Sequence, residues 1–454
     1  MPKQSMFFDE ALLPQGFVHN VRLGIEGGVI AAVETDAAPT GRDERHAIGL
    51  PGMQNLHSHA FQRGMAGLAE IRGPASDSFW TWRDVMYRFA HRMSPDDVEA
   101  MAAELYVEML EAGFTRVGEF HYLHHDHDGT PYADIAEMSA RIAAAAQTTG
   151  IGLTLLPVFY AHGGFGGAPP NAGQRRFIND LDNFARLLDG ARRALQPLDG
   201  AILGVAPHSL RAATEEELAD LVPLSRSGPI HIHVAEQTKE VEDCVAWSGA
   251  RPVEWLLSHA PVDHRWCLIH ATHMTQAETE AMAKSRAVAG LCPITEANLG
   301  DGIFAATEFV AAGGEYGVGS DSNVLVGLPD ELRQLEYSQR LRHRARNVMA
   351  PGEGSSTGRT LYEAALTGGS HALGVDTSGI AAGASADLVS LDATHPALVS
   401  RAGDAILDGM IFAARDRLVD CVWRGGRQLV EGGRHQKRDL CLARFRAVME
   451  KLLA

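Results

Sequence analysis

Hydrophobic and polar positions follow two different rhythms along the chain. Near both ends, apolar residues alternate with polar ones between turn signals. Val21-Arg22-Leu23-Gly24-Ile25-Glu26 runs into Gly27-Gly28, and Leu418-Val419-Asp420-Cys421-Val422-Trp423 precedes Arg427-Gln428-Leu429-Val430 with Gly425-Gly426 between them. A period of two broken by paired glycines predicts antiparallel strands and a hairpin. Ala386-Asp387-Leu388-Val389-Ser390-Leu391 predicts a further strand. The two ends are therefore expected to build one small domain, a β-sandwich of residues 1–50 and 376–437, with the middle of the chain inserted between them.

Residues 51–375 change rhythm. Short apolar segments recur at 114–121, 151–159, 201–207, 229–234, 265–270, 286–292 and 315–321, with 50–57 before them. Helical stretches lie between most of these. Ser94-Pro95 predicts one helix start, a cap residue followed by proline at the first helical position. Thr214-Glu215-Glu216-Glu217 and Thr275-Gln276-Ala277-Glu278 read as capping boxes that open two more. Eight strands separated by helices predict an α/β fold, a (β/α)8 TIM-like barrel over 51–375. Arg438 to Leu453 reads as an amphipathic C-terminal helix within 438–454, suited to packing or subunit contact.

In such a barrel the active site gathers at the C-terminal ends of the strands, so polar residues that close an apolar segment carry the information. Leu56-His57-Ser58-His59 closes the first segment, and strand alternation turns His57 and His59 to one side. The fifth segment, Pro229-Ile230-His231-Ile232-His233-Val234-Ala235-Glu236, carries two histidines on one face, of which His231 is expected to be a hydrogen-bonded core residue. Glu236 follows where the chain leaves the strand, within reach of a proton-transfer role. His270 closes the sixth segment and Asp321 the eighth. Each residue alone has a structural explanation. Together they bring three histidines and a carboxylate, with a further histidine and glutamate, to one rim.

Composition narrows the setting. With 454 residues, 45% hydrophobic and 21% charged, the chain has room for a barrel plus a smaller soluble domain. No apolar run reaches the ~18 residues of a membrane span. Met1-Pro2-Lys3-Gln4-Ser5-Met6 lacks the apolar core of a signal peptide, so a cytoplasmic location is expected. A net charge of −17 argues against nucleic acid or an acidic membrane as partner. A small anionic substrate would need local arginines. The five cysteines are scattered and form no C-x-x-C pair, which argues against a disulfide framework or a zinc ribbon.

Other signals carry less. His121, His124, His125 and His127 are expected in a polar loop after the second strand. His162-Gly163-Gly164-Phe165-Gly166-Gly167 lacks the Gly-Lys-Ser/Thr of a phosphate loop and suits a loop over the site.

The order of these features resembles the amidohydrolase superfamily over essentially the whole chain. It runs from Pro51-Gly52-Met53 into the H-x-H, then the strand-five His233 with Glu236, His270, Asp321 and the closing Gly383-Ala384-Ser385-Ala386-Asp387-Leu388. The fourth segment ends Ala206-Pro207-His208-Ser209, without a metal-bridging lysine, as in the one-metal deaminase branch. More narrowly, Asn55–Arg63, Ser78-Phe79-Trp80-Thr81-Trp82-Arg83, Glu119-Phe120-His121-Tyr122, His208-Ser209-Leu210-Arg211 and Thr295-Glu296-Ala297-Asn298-Leu299-Gly300-Asp301-Gly302 resemble the formimidoylglutamate deiminases. Other deaminases of this branch carry a Ser-Asn pair where Glu296-Ala297-Asn298 stands.

This resemblance implies hydrolysis of N-formimidoyl-L-glutamate to N-formyl-L-glutamate and ammonia in histidine degradation. It implies one divalent metal ion, Zn2+ as the expectation, on His57, His59, His233 and Asp321. Iron or manganese suit similar ligands. Glu236, His270 and Asp321 would be catalytic, and Gln62, Arg83, Tyr122, His208 and Arg211 would contact the substrate. A homodimer is expected from the relatives. The rival is a one-metal aminohydrolase of a purine, pyrimidine or nucleoside-like ring, whose pocket needs stacking more than two arginines. A non-catalytic, metal-holding scaffold is the alternative from another class.

Overall fold

The computed structural model describes residues 4–72, 79–375, 379–415 and 418–454, with the backbone alone for Phe79 and Trp80. Ser78 of the Ser78–Arg83 match, and residue 376 at the expected second start of the β domain, lie outside them.

The two ends of the chain share one eight-stranded sheet. Its order is Arg434–His435, Arg427–Glu431, Val419–Arg424, Leu388–Leu391, Glu44–Pro51, Gln4–Leu13, Gly16–Glu26 and Val29–Glu34. All neighbours are antiparallel except Gln4–Leu13 with Glu44–Pro51, which run parallel. The sheet folds back on itself, as an isolated bridge between Val29 and Ser385 records. The fold encloses a core that includes Met6, Phe8, Leu23, Leu388 and Trp423, each at most 1% exposed. Burial of this kind is worth roughly 1.5–3 kcal/mol per large side chain. The expected hairpin forms at Gly425 and Gly426, whose φ values of +53° and +70° explain why both are glycine.

Glu44–Pro51 hands the chain to the barrel through Gly52. A Cβ there would lie 2.3 Å from Thr115 Cγ2, so only glycine fits. The segment expected at 50–57 is therefore shared: its start belongs to the terminal sheet and Met53–Ser58 is the first barrel strand. The other barrel strands are Phe114–His121, Gly152–Phe159, Ile202–Leu203 with Ala206–Pro207, Ile230–Val234, Trp266–His270, Val288–Leu291 and Tyr316–Val318. They pair in parallel as two groups, the first to fourth and the fifth to eighth. Isolated parallel bridges join the groups at both seams, Val205 to Ile230 and Ser209 to His233 at one and Ser58 to Asp321 at the other. The fourth strand is broken at Gly204, where a Cβ would meet the Pro229 carbonyl oxygen at 2.4 Å.

The helix starts match the sequence. Ser94, Thr214 and Thr275 each cap a helix and share a capping box with Asp97, Glu217 and Glu278, and Pro95 takes the first turn. The C-terminal helix Arg438–Leu453 packs on Pro95–Glu111. There Arg438 pairs with Glu104 and Glu111, and Lys451 Nζ lies 2.6 Å from Asp97 Oδ2. Among the described residues no helix is long and apolar enough to cross a membrane. All five cysteines are free and buried.

Candidate active site

The first, fifth and eighth barrel strands bring His57, His59, His233 and Asp321 together, with one ligand atom from each lying within 4.8 Å of the others. His57 Nε2 is 3.1 Å from His233 Nε2, and Asp321 Oδ1 is 3.6 Å from His57 Nε2 and 3.2 Å from His59 Nε2. The backbone sets the ring orientations. His59 donates through Nδ1 to the Phe120 carbonyl at 2.9 Å, and His233 through Nδ1 to the His208 carbonyl at 3.0 Å. A ring that donates from Nδ1 keeps its Nε2 lone pair, which here faces the centre. Burial, reinforced by the neighbouring histidines, holds His57 and His233 well below the usual histidine range. Neutral imidazoles with a carboxylate are the donor set of a divalent transition metal, so these residues fit the group.

The chain reaches this arrangement by turning sharply at the strand ends. Ala235, His270 and Asp321 take φ values of +53°, +69° and +44°. A non-glycine residue in that region costs of order 1 kcal/mol or more, a cost that clusters at functional sites.

His270 sits between carboxylates. Its Nε2 is 3.7 Å from Glu236 Oε1 and 3.8 Å from Asp321 Oδ2, and its Nδ1 is 3.2 Å from Glu296 Oε1. Burial opposes a charge on this ring, but Glu236, Glu296 and Asp321 outweigh it and push its pKa up to about 10. Glu236 is 4% exposed. Burial is the largest influence on it; with Asp321 it outweighs His270 and Arg211 and raises the carboxyl to about 7. A carboxyl poised near neutrality suits proton transfer at working pH.

The cleft above is lined by ten of the site residues named from the sequence: His59, Gln62, Arg83, Tyr122, His208, Arg211, His233, Glu236, His270 and Asp321. His57 is fully buried behind them. Gln62 Nε2 donates to Tyr122 Oη at 2.7 Å. Arg83 lies over the Tyr87 ring, 5.6 Å from its centroid. Arg211 approaches Ser209 Oγ at 3.4 Å and Glu240 at 4.0 Å. Burial and the Arg211 charge hold His208 neutral. The cleft thus holds two guanidinium groups together with the histidine and carboxylate cluster.

The residues set aside stay structural, but the histidines expected in a polar loop after the second strand are placed differently: His121 ends that strand, and His121, His124 and His125 are buried, with His127 alone of the four exposed. His231 Nε2 donates to the Ala372 carbonyl at 2.7 Å, His124 to Val158 at 2.8 Å and His125 to Ile178 at 2.8 Å, none of them in the cleft. Gly163 does line the cleft, and its loop is held by Phe165 stacked on Trp247 at 5.5 Å. Tyr160, Tyr87 and Phe177 also line it without having been singled out from the sequence. Tyr160 directly follows the third strand, so the strand-end rule could have found it. Tyr87 lies one helical turn from Arg83. Phe177 gave no signal.

The comparisons with known proteins agree with this geometry. The Amidohydrolase family model matches residues 48–429, and the model described as Formimidoylglutamate deiminase HutF, N-terminal domain, matches residues 4–47. The formimidoylglutamate deiminase of Pseudomonas aeruginosa is 52% identical over 451 residues, covering 99% of this chain and 99% of that protein. A 5-methylthioadenosine/S-adenosylhomocysteine deaminase of Natronomonas pharaonis is 29% identical over 89% of this chain and 86% of its own. The crystal structure of an amidohydrolase from Brucella melitensis superposes with a TM-score of 0.97 at 62% identity, over 99% of this chain and 100% of that one. The chain belongs to the amidohydrolase family, on its formimidoylglutamate deiminase branch.

Proposed function

We propose that the chain hydrolyses N-formimidoyl-L-glutamate to N-formyl-L-glutamate and ammonia, a step of histidine degradation. The observation that carries this is the pair Arg83 and Arg211 in the same cleft as the Glu236, His270 and Asp321 cluster. The substrate is linear, with two carboxylates at one end and an amidine at the other. Guanidinium forks match carboxylates in geometry and charge, and each charge-assisted contact is worth about 1.5–3 kcal/mol. They also offset the repulsion of a protein with a net charge of −17. A pocket for a neutral ring needs aromatic stacking and neutral polar contacts more than two arginines. The relative from Pseudomonas aeruginosa bears the same activity in its name.

His57, His59, His233 and Asp321 would hold one divalent cation, zinc in this proposal. Bound there, it would supply Lewis acidity that brings the pKa of water from ~16 to near neutrality. Asp321 Oδ2, the oxygen on the His270 side, accepts the proton of the attacking water. The new C–O bond forms at the formimidoyl carbon. Glu236 gives its proton to the terminal nitrogen as the C=N bond becomes single; the proton held on Asp321 then reaches the same nitrogen, the C–N bond breaks to release ammonia, and the remaining hydroxyl proton returns to Glu236 as the formyl C=O forms. His270 orients both carboxyls and stabilises charge on the attacking oxygen. Gln62, Tyr122 and His208 complete the contacts to the substrate.

Residues 51–375 are proposed as the catalytic unit, 1–50 with 376–437 as the β domain, and 438–454 as a helix appended to it. We also propose a cytoplasmic homodimer, which sedimentation and cell fractionation would check. The test of function is ammonia release from N-formimidoyl-L-glutamate beside guanine, cytosine and adenosine. Release from the first alone is expected. Preference for a ring would overturn the proposal in favour of the purine or pyrimidine aminohydrolases.

A further inference from the structure

The β domain gathers a second mixed set of ligating side chains, none of which lines the cleft described above. Val419–Arg424 pairs with Leu388–Leu391 through a bulge. Leu391 stands opposite Val419 and Ser390 opposite Cys421, so Asp420 is the extra residue. An extra residue breaks the alternation of a strand and re-aims its side chain. Asp420 and Cys421, neighbours in sequence, therefore meet on one side, where Cys421 Sγ donates to Asp420 Oδ2 at 3.4 Å. His46 arrives from the strand Glu44–Pro51, with its Nδ1 3.8 Å from the same Oδ2. One ligand atom from each of the three lies within 4.8 Å of the others.

The surroundings hold the three in place. His46 Nε2 lies 3.2 Å from Glu44 Oε1. A carboxylate only accepts, so Nε2 donates and Nδ1 keeps its lone pair toward Asp420. Metal-binding histidines are oriented in this way, by a carboxylate on the other ring nitrogen. The His46 ring packs edge-on against Trp423 at 4.7 Å and over Phe8 at 5.7 Å. Ser390 Oγ donates to Asp420 Oδ2 at 3.3 Å and accepts from the Cys421 N–H at 3.0 Å. Cys421 is buried, while the Asp420 side chain is 39% exposed and gives an ion a way in.

We propose that His46, Asp420 and Cys421 form a second metal site, for a borderline-soft divalent ion such as zinc. Imidazole, carboxylate and thiolate are all zinc ligands, and three of them leave one tetrahedral position for water. Bonds of ~2.0 Å to nitrogen and oxygen and ~2.3 Å to sulfur set tetrahedral ligand atoms about 3.3–3.6 Å apart. The Cys421–Asp420 spacing of 3.4 Å matches, and the His46–Asp420 spacing of 3.8 Å is close to it. The thiol proton shared with Asp420 leaves to solvent as the bond from Sγ to the ion forms. With three protein ligands against four in the active site, the site is the weaker of the two and fills once the ion exceeds one per chain. An ion held there ties Glu44–Pro51 to Val419–Arg424, two strands from opposite ends of the chain that are not neighbours in the sheet.

The test needs no substrate, so it stands apart from the reaction proposed above. Enzyme that already holds one zinc per chain is titrated with Co2+. The donors proposed for the active site are nitrogen and oxygen, so a sulfur-to-cobalt charge-transfer band in the near ultraviolet reports a cysteine ligand. In wild type the band should grow and saturate at about one further ion per chain. In Cys421→Ser, nearly the same size but without the thiol, it should be lost. In His46→Gln the Co2+ concentration at half-saturation should rise about tenfold or more, since even the supporting partner of a ligand is worth that much. His46 lies at the rim of the small core, so this variant keeps the test open if Cys421→Ser fails to fold. The proposal would be overturned by the absence of a band in excess Co2+, by an undiminished band in Cys421→Ser, or by unchanged half-saturation in His46→Gln.

Discussion

His57 and His233 meet through their Nε2 atoms at 3.1 Å, from the first and fifth strands of the barrel. The two residues are 176 positions apart in sequence. Because His233 Nδ1 is committed to the His208 carbonyl, its Nε2 presents a lone pair to the same small volume that Asp321 faces. Burying such groups together without a proton or cation between them is costly. The barrel closes on a site whose chemistry is already specified.

Arg83 tests the substrate end. Replacing it with methionine keeps a long apolar stem but removes the fork. The Arg83→Met variant should raise KM for N-formimidoyl-L-glutamate by about 10- to 100-fold, the loss of one charge-assisted contact of ~1.5–3 kcal/mol. Its metal content should match wild type. Steady-state kinetics with metal analysis checks this, and an unchanged KM would remove Arg83 from substrate binding.

Glu236 tests the proton step. Glu236→Gln keeps the shape of the side chain and loses the transferable proton. The variant should hold its metal and substrate normally while kcat falls by about 10²–10⁴. Turnover near the wild-type rate would exclude Glu236 as the proton donor to the departing nitrogen.

His91 gives a pH signature away from the active site. Its Nε2 accepts from Arg175 Nη1 at 3.3 Å. Burial, then the Arg175 and Arg176 charges, lower its pKa to about 4, whereas an unfolded chain returns it to about 6.5. Between those values the unfolded chain binds the extra proton. Stability from this group is therefore present above about pH 6.5 and is lost as the pH falls toward 4. The ring is half-buried, so the effect is about 1 kcal/mol after allowance for solvent screening. Denaturant unfolding across this window should show a shallower pH dependence in His91→Gln than in wild type. Equal slopes would contradict the assignment.

Much of the barrel was legible because its strands are buried on both faces. They read as continuous apolar runs, and a polar residue that closes such a run stands out. That rule located His59, His233, His270 and Asp321. It fails where a residue arrives from a helix or loop. Glu296 reaches His270 from a short helix, and Asp301 reaches Glu236 from the loop after it. Both lie in the Thr295–Gly302 stretch that marked the resemblance, but their partners are set by tertiary packing. Arg83 and Arg211 were legible only through resemblance, since an arginine outside a strand end has no local pattern that separates a substrate contact from a surface ion pair. The break in the fourth strand depends on the closeness of Gly204 to Pro229, which no local pattern encodes. The central place of Glu44–Pro51, joining both ends of the chain in one sheet, is likewise a long-range pairing.

The most direct test is elemental analysis of the purified enzyme alongside ammonia release, in wild type and in His233→Ala. Wild type should contain about one divalent ion per chain, lose activity with that ion on chelation, and regain both when zinc is added back. His233→Ala should hold far less metal and show no recovery. Full activity in metal-free enzyme, or an unchanged metal content in His233→Ala, would contradict the account.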